Sequence, residues 1–429
     1  MLKKFNQLTY SDVYYGAIFL MLIFPFMPIV LNNYFVLVPA VVALLAPFFT
    51  PRYKFCNPSF MSLLISSSFI LLLISSFYSD NAGVALNELM KRLSLIIFPV
   101  IFFLRKTPLL IKYREQYEYT FIGIIVIFFT WKNIELFIFF NKIINEGLLV
   151  NSWIDALQNS KFQLFYRNYF IEFTGIHPTY ASLYSLFGSG VLIINLFRNK
   201  YSNSIKTKAL VYLVLFILLI YSFLLAAKGP LLAFVVSIIV ILFLALNKKY
   251  FSIVGSVLIL FFSIVILTFP PLRARVIEIV EPANNNSVNS VSVRKIIHSN
   301  SWDLIKSNCL FGVGIGDVQD KLDEGFEKYK QKEIKDFTLN THNEYFNHWA
   351  SAGILGLLAI VLTLVIPLVK AIRQKDYKFL FFLLFIIISF FFENILSRQK
   401  GVLFFVFFYS IYFFNQIDQS KCQQDIPSI

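Results

Sequence analysis

The chain has 429 residues, of which 58% are hydrophobic and 18% aromatic, with 51 Phe, while only 14% are charged. An ordinary soluble domain is about 45–50% apolar, so this composition excludes a water-soluble monomer. Its 16 Gly, 15 Pro and 3 Cys equally exclude a collagen-like repeat, a disordered chain or a disulfide scaffold.

A hydrocarbon core of about 30 Å takes about 20 helical residues. Apolar runs of that kind predict an all-α integral membrane protein with about twelve transmembrane helices. In chain order they fall at 13–31, 34–50, 60–78, 89–104, 119–140, 179–197, 209–225, 231–246, 251–269, 349–369, 379–392 and 402–417. The first run follows Lys3 and Lys4 but is long and lacks a small-residue cleavage site, so it is expected to be an uncleaved anchor.

The net charge of +14 would point to a nucleic acid only if the basic residues formed one patch, and they are spread between the spans instead. With the N-terminus in the cytoplasm, the inner segments carry 19 basic and 6 acidic residues, and the outer ones 18 and 17 when Lys91 and Arg92 at the outer end of the fourth span are counted with them. That asymmetry follows the positive-inside rule. Both termini are therefore expected in the cytoplasm, with membrane lipid and no nucleic acid as partners. Cys56 and Cys422 fall inside and Cys309 outside, so no disulfide is expected within this chain.

Three regions follow from the pattern: spans 1 to 9 over residues 1–269, a large outer (periplasmic) loop over 270–348, and spans 10 to 12 with a cytoplasmic tail over 349–429. A second outer segment, 141–178, reads as a moderate loop. The large loop opens with Pro270 and Pro271, passes through a polar tract at 281–290, and turns helical over 292–308 with Ser292 as N-cap. The run Phe311–Gly316, with Gly312, Gly314 and Gly316, breaks that helix, and a second, highly charged helix follows over 317–335. The glycines lack the third Gly of a dinucleotide fingerprint and the Lys-Ser/Thr of a phosphate loop, so they read as a turn. The absence of a visible internal repeat disfavours transporter folds built from paired halves.

All four histidines, His177, His298, His342 and His348, fall at or outside the outer membrane face. His342 sits where the long loop meets the tenth span. There an imidazole suits a general base for a sugar hydroxyl, and equally an interfacial anchor. His348, beside Trp349, reads as an interfacial packing residue. Neither has a second His at the i+3 or i+4 spacing that would share its helix face, so no metal and no cofactor is expected. Arg294, Lys228, Arg92 and Arg398 with Lys400 lie on the outer side. Singly each is a headgroup anchor; together they form a cationic set able to hold a lipid diphosphate. Within a span, Lys132 and Glu135 are three apart and can meet, as a structural ion pair or as the lining of a groove.

Ser292-Val-Arg294, Trp302, Phe311-Gly-Val-Gly-Ile-Gly316, Thr341-His-Asn-Glu-Tyr-Phe346 and Ser351-Ala-Gly-Ile-Leu-Gly356 together resemble the O-antigen ligase family and its polymerase relatives, most closely over about 210–370. Gly175-Ile-His-Pro-Thr-Tyr180 and Glu393 to Gly401 also look like ligase-type segments. The resemblance implies a C-type membrane glycosyltransferase that moves a glycan from undecaprenyl diphosphate to an acceptor at the outer leaflet. It gives His342 the place of the loop histidine that activates or orients the acceptor hydroxyl, and Arg294 that of the loop arginine on the donor diphosphate. Family members usually carry Ser-Arg-Gly where this chain has Ala227-Lys228-Gly229, which keeps the charge and loses the bidentate fork. His177, Tyr180 and Asn343 are acceptor-side candidates.

The expected reaction is a metal-independent, inverting transfer, with O-antigen ligation to lipid A-core ahead of repeat-unit polymerisation within lipopolysaccharide biosynthesis. A protein-directed O-glycosyltransferase is a third enzyme reading. A lipid-linked glycan flippase, the alternative from another class, calls for a central charged cavity and small outer loops, the reverse of this pattern.

Overall fold

The computed structural model describes residues 10–49, 60–103, 113–146, 160–198, 200, 204–246, 290–328 and 339–414, with isolated positions at 256, 260 and 263. Among the described residues all regular structure is helical. The ninth span at 251–269, most of the polar tract and residues 329–338 lie outside them.

Two units are distinguished, Met1–Phe121 with Ile297–Ile429, and Ile122–Ile296. In the first, α1 (Tyr10–Met21) and α2 (Ile29–Phe49) are followed by α3 (Phe60–Ser76), α4 (Ala82–Arg92) and α5 (Ser94–Phe103). The run expected as one span at 13–31 stops at Met21, because Pro25 and Pro28 cannot continue a helix without losing its N–H donors. The run expected at 89–104 is likewise not one helix: it divides at Leu93. Its first part belongs to α4, whose N-cap Asn81 accepts the Val84 N–H at 3.2 Å.

Among the described residues, five helices are long and apolar enough to cross a membrane: α6 (Arg114–Asn145), α8 (Pro178–Phe197), α9 (Ile205–Leu225), α10 (Lys228–Ala245) and α13 (Glu344–Gln374). The shorter apolar helices include α14 (Tyr377–Phe390) and α15 (Gln399–Phe414). In the second unit, α7 (Ser160–Thr174) lies within the segment expected as a loop, where aromatic residues supply an apolar face: Phe139 packs on Tyr169 and Phe173. α8 is buried almost throughout and packs on α9 and α10. Small residues make this possible: Gly188 leaves Ile122 and Leu218 only 3.2 and 3.3 Å from where a Cβ would stand. Lys132 and Glu135 on α6 do meet, at 2.8 Å.

The first unit is held by aromatic packing and by a buried charge network. Phe404, Phe405, Phe407 and Phe408 of α15 are fully enclosed, with Phe121 4.9 Å from Phe408 between centroids. The Arg114 guanidinium forks onto Asp376 at 3.0 and 2.9 Å and stacks 4.4 Å from the Tyr412 ring, while Lys378 reaches Glu118 at 2.5 Å. Such charges are tolerated in an apolar interior only because each is paired.

In the sequence of the long loop, α11 (Ser290–Ser307) and α12 (Val318–Lys328) occupy the two stretches expected as helices. α11 begins at Ser290, so Ser292 lies in its first turn and is not its cap. The turn between them docks through the three glycines. A Cβ on Gly312 would stand 2.5 Å from the Ala350 carbonyl oxygen, and one on Gly314 2.3 Å from Ser79 Oγ. Both glycines hold positive φ, 71° and 94°. α13 is unwound opposite this turn, at Ala352 and Gly353. There Val313 and Gly314 donate to the Ala350 and Ser351 carbonyls at 2.7 and 3.1 Å, and Ile354 donates to Cys309 at 3.0 Å.

Candidate active site

Residues Thr341 to Glu344 are shaped by a helix cap. Asn343 is extended, and its Oδ1 accepts the N–H groups of Tyr345 and Phe346 at 3.0 and 3.1 Å, satisfying donors left over at the start of α13. The chain reaches that cap by turning at His342, whose φ of 44° lies in the left-handed region. Histidine is among the few non-glycine residues found there, at a cost of roughly 1–2 kcal/mol. The turn is held at both sides: Asn340 Oδ1 accepts the His342 N–H at 2.9 Å, and the buried Thr341 hydroxyl lies 3.0 Å from the Asn343 carbonyl and from Asn394 Oδ1. The His342 ring stays 27% exposed, with its Nδ1 3.4 Å from Oε2 of Glu393.

Glu344, one residue further, is completely buried. Its Oε2 accepts the backbone N–H of Leu396 at 2.8 Å, and its Oε1 lies 3.2 Å from Nδ1 of His348. His348 is not the interfacial residue that its neighbour Trp349 led us to expect; it is fully enclosed, one turn along α13 from its carboxylate.

The segment Glu393–Arg398, which contains a 3-10 turn at Ile395–Ser397, is thereby pinned at three successive points. Asn394 is held by Thr341, Leu396 by Glu344, and the Ser397 hydroxyl accepts from Nη2 of Arg92 at 2.9 Å. Nη1 of Arg92 is taken up by Glu88 Oε2 at 2.5 Å and the Glu88 carbonyl at 2.9 Å. Arg92 is only 1% exposed. It is a strut beneath this segment and does not face outward as the sequence led us to expect. Burial alone would raise the Glu88 carboxyl, but the Arg92 and Lys91 cations beside it prevail and its pKa is lowered. Arg398, directly after the pinned turn, remains exposed.

In the second unit, His177 caps α8: its Nδ1 accepts the Thr179 N–H at 3.4 Å, with Pro178 in the first turn. Tyr180 is buried, its ring 6.4 Å from that of His177. Lys228 is the first residue of α10, half-buried, just past the left-handed Ala226 that ends α9. Arg294 is half-buried on α11.

Sequence reasoning singled out His342, Asn343 and Arg398 in the first unit but missed the carboxylates that organise them. Glu393 and Glu344 enter the sequence reading only as members of the segments Glu393 to Gly401 and Thr341 to Phe346. A signal was present, since an acidic residue just outside a long apolar run needs a partner there.

Helices alone among the described residues, several of them long and apolar enough to cross a membrane, and a histidine–carboxylate pair at a capped helix mouth point to a multi-pass membrane protein with an enzyme-like site. Residues 213–361 match the model of the family described as O-antigen ligase. The match supports, for that stretch, a likeness to membrane enzymes of the O-antigen ligase and polymerase type. No curated protein matches the chain.

Proposed function

We propose that this protein transfers a glycan from undecaprenyl diphosphate to an acceptor hydroxyl on the periplasmic side of the bacterial inner membrane, the acceptor being lipid A-core. The observation that carries the reading is the His342–Glu393 pair at the mouth of α13, inside a chain whose 213–361 stretch matches O-antigen ligase.

His342 takes the proton of the acceptor hydroxyl as its oxygen attacks the anomeric carbon, and the sugar–phosphate bond breaks with its electrons leaving on the diphosphate. Attack opposite the leaving group inverts that carbon. Glu393 keeps the imidazole oriented and balances the charge that the proton brings, the division of labour of a base and its orienting carboxylate. The diphosphate is a good leaving group, so the remaining demand is cationic stabilisation, assigned to Arg398, Arg294 and Lys228 without a metal. Arg92 is left out of the donor set, because its fork is spent on Glu88 and Ser397.

The test is complementation in the native host. Deletion should leave full-length glycan on undecaprenyl diphosphate and bare lipid A-core, and His342→Ala at normal expression should copy it. Core capped with single repeats would instead identify a polymerase, and normal lipopolysaccharide in both strains would overturn the reading.

A further inference from the structure

The turn between α11 and α12 presents apolar side chains for which the chemistry above has no use. Leu310 and Phe311 are 66% and 73% exposed, and Phe77, beside the Tyr78 whose hydroxyl donates to the Phe311 carbonyl, is 82% exposed. From Asn308 to Gly316 the chain carries no charged side chain. A water-facing loop rarely gathers such a patch.

The backbone fixes the level of this turn. Its bonds to Ala350, Ser351 and Ile354 place it against the first residues of Ala350–Val369, the uncharged stretch of α13 that is long enough to cross a bilayer. Further along, Leu355, Leu358 and Leu362 of α13 and Leu73 and Ile74 of α3 are exposed, as lipid-facing side chains of such helices are. The tip of the turn therefore continues their apolar surface. Near it, Trp349 Nε1 donates to the Cys309 carbonyl at 3.0 Å, Trp302 stands 5.7 Å from Trp349, and Lys306 lies 5.7 Å over the Trp302 ring. Indole rings accompanied by a long cationic side chain are what a headgroup boundary selects.

A second observation is independent of exposure. Every backbone N–H from Gly312 to Gly316 that the apolar tip leads into has a protein acceptor: Asn308, Ala350 and Ser351 carbonyls, then the hydroxyls of Ser75 and Ser79 for Ile315 and Gly316 at 3.2 and 3.1 Å. Part of this pairing is what backbone buried against protein requires, and it also lets the turn lie out of reach of water, where each unmet donor costs several kcal/mol.

We propose that the Cys309–Gly312 turn is a lipid-inserted wedge. Leu310, Phe311 and Phe77 occupy the upper acyl-chain region of the bilayer, and Trp302 and Trp349 lie at headgroup level. The partner of this surface is membrane lipid. A segment that the sequence assigns to an aqueous loop thus anchors α11 and α12 to the membrane beside α13.

Cys309 is exposed and offers its own probe position. The full chain carrying Cys56→Ser and Cys422→Ser is labelled there with a nitroxide and reconstituted in phosphatidylcholine–phosphatidylglycerol vesicles. Power saturation then compares collision with oxygen, which concentrates in lipid, and with a neutral nickel chelate, which stays in water. Oxygen should exceed nickel at Cys309 and at Phe311→Cys (made with Cys309→Ser), with the order reversed at Lys321→Cys on the charged α12. Nickel exceeding oxygen at both turn positions would overturn the proposal as an aqueous loop, and exclusion of both reagents would overturn it as a surface covered by protein. Because depth and not turnover is read, the outcome does not depend on the role of His342.

Discussion

Oε2 of Glu344 accepts the backbone N–H of Leu396 at 2.8 Å, across 52 positions of sequence and with the carboxylate wholly out of solvent. This bond ties the first turn of α13 to the segment that carries Glu393 and Arg398. The His342–Glu393 distance therefore depends on a residue that touches neither of them.

Replacing Glu344 by Ala leaves the Leu396 N–H without its acceptor, while His348 Nδ1 keeps the Glu344 backbone carbonyl at 3.0 Å, and loss of a buried hydrogen-bonded group of this kind costs about 1–3 kcal/mol or more. Thermal unfolding in detergent should show a clear drop for Glu344→Ala. Glu344→Gln, which keeps an acceptor oxygen for Leu396, should lose less; equal losses would mean that the backbone bond contributes little.

His342→Ala should lower glycan transfer by about 10²- to 10⁴-fold, the usual share of a positioned base, with unfolding temperature unchanged or slightly lowered, since alanine keeps a Cβ and does not relieve the left-handed backbone. Glu393→Gln should fall between this variant and wild type. The measurement is transfer from a lipid-diphosphate donor by the purified protein, beside its melting curve. Near-wild-type rates for His342→Ala would remove it from the mechanism.

Gly353 holds φ 66°, and a Cβ there would meet the Leu310 carbonyl oxygen at 2.0 Å. Gly353→Ala should thus separate the glycine turn from α13 and destabilise the protein well beyond the ordinary glycine-to-alanine effect of about 1 kcal/mol. Gly123, with nothing within 4 Å of its added Cβ, is the control and should tolerate Ala. Limited proteolysis between α11 and α12 would report the difference.

The Glu88–Arg92 pair predicts a pH dependence. Because the folded-state pKa of Glu88 is lowered, its stabilising contribution is present above the unfolded carboxylate value and disappears as pH falls through the folded one. The melting temperature should therefore decline on acidification, and Glu88→Gln should flatten that part of the profile while lowering stability at neutral pH. Removing one member of a buried pair costs roughly 3–5 kcal/mol, so a neutral-pH profile indistinguishable from wild type would contradict the strut role given to Arg92.

The helices around the site were legible because their causes are local. In lipid a run such as 349–369 has no hydrogen-bonding choice other than a helix, and Asn343 followed by Glu344 marks where α13 begins. The failures are equally physical. The apolar run at 89–104 divides at Leu93 into two helices, and His348 is buried with its Nδ1 3.0 Å from the Glu344 carbonyl, a backbone partner that no side-chain pattern marks.

By itself, then, the sequence determined that the chain is helical, that it belongs in a membrane, and that His342 stands at a helix mouth, because apolar length, cap chemistry and charge asymmetry act over a few residues at a time. Only the tertiary structure decided that Glu393 is the partner of His342, that Arg92 is a strut, and that the glycine turn rests on an unwound α13. Those relationships join positions roughly 40 to 300 residues apart, and contacts of that range follow from packing, which no local pattern encodes.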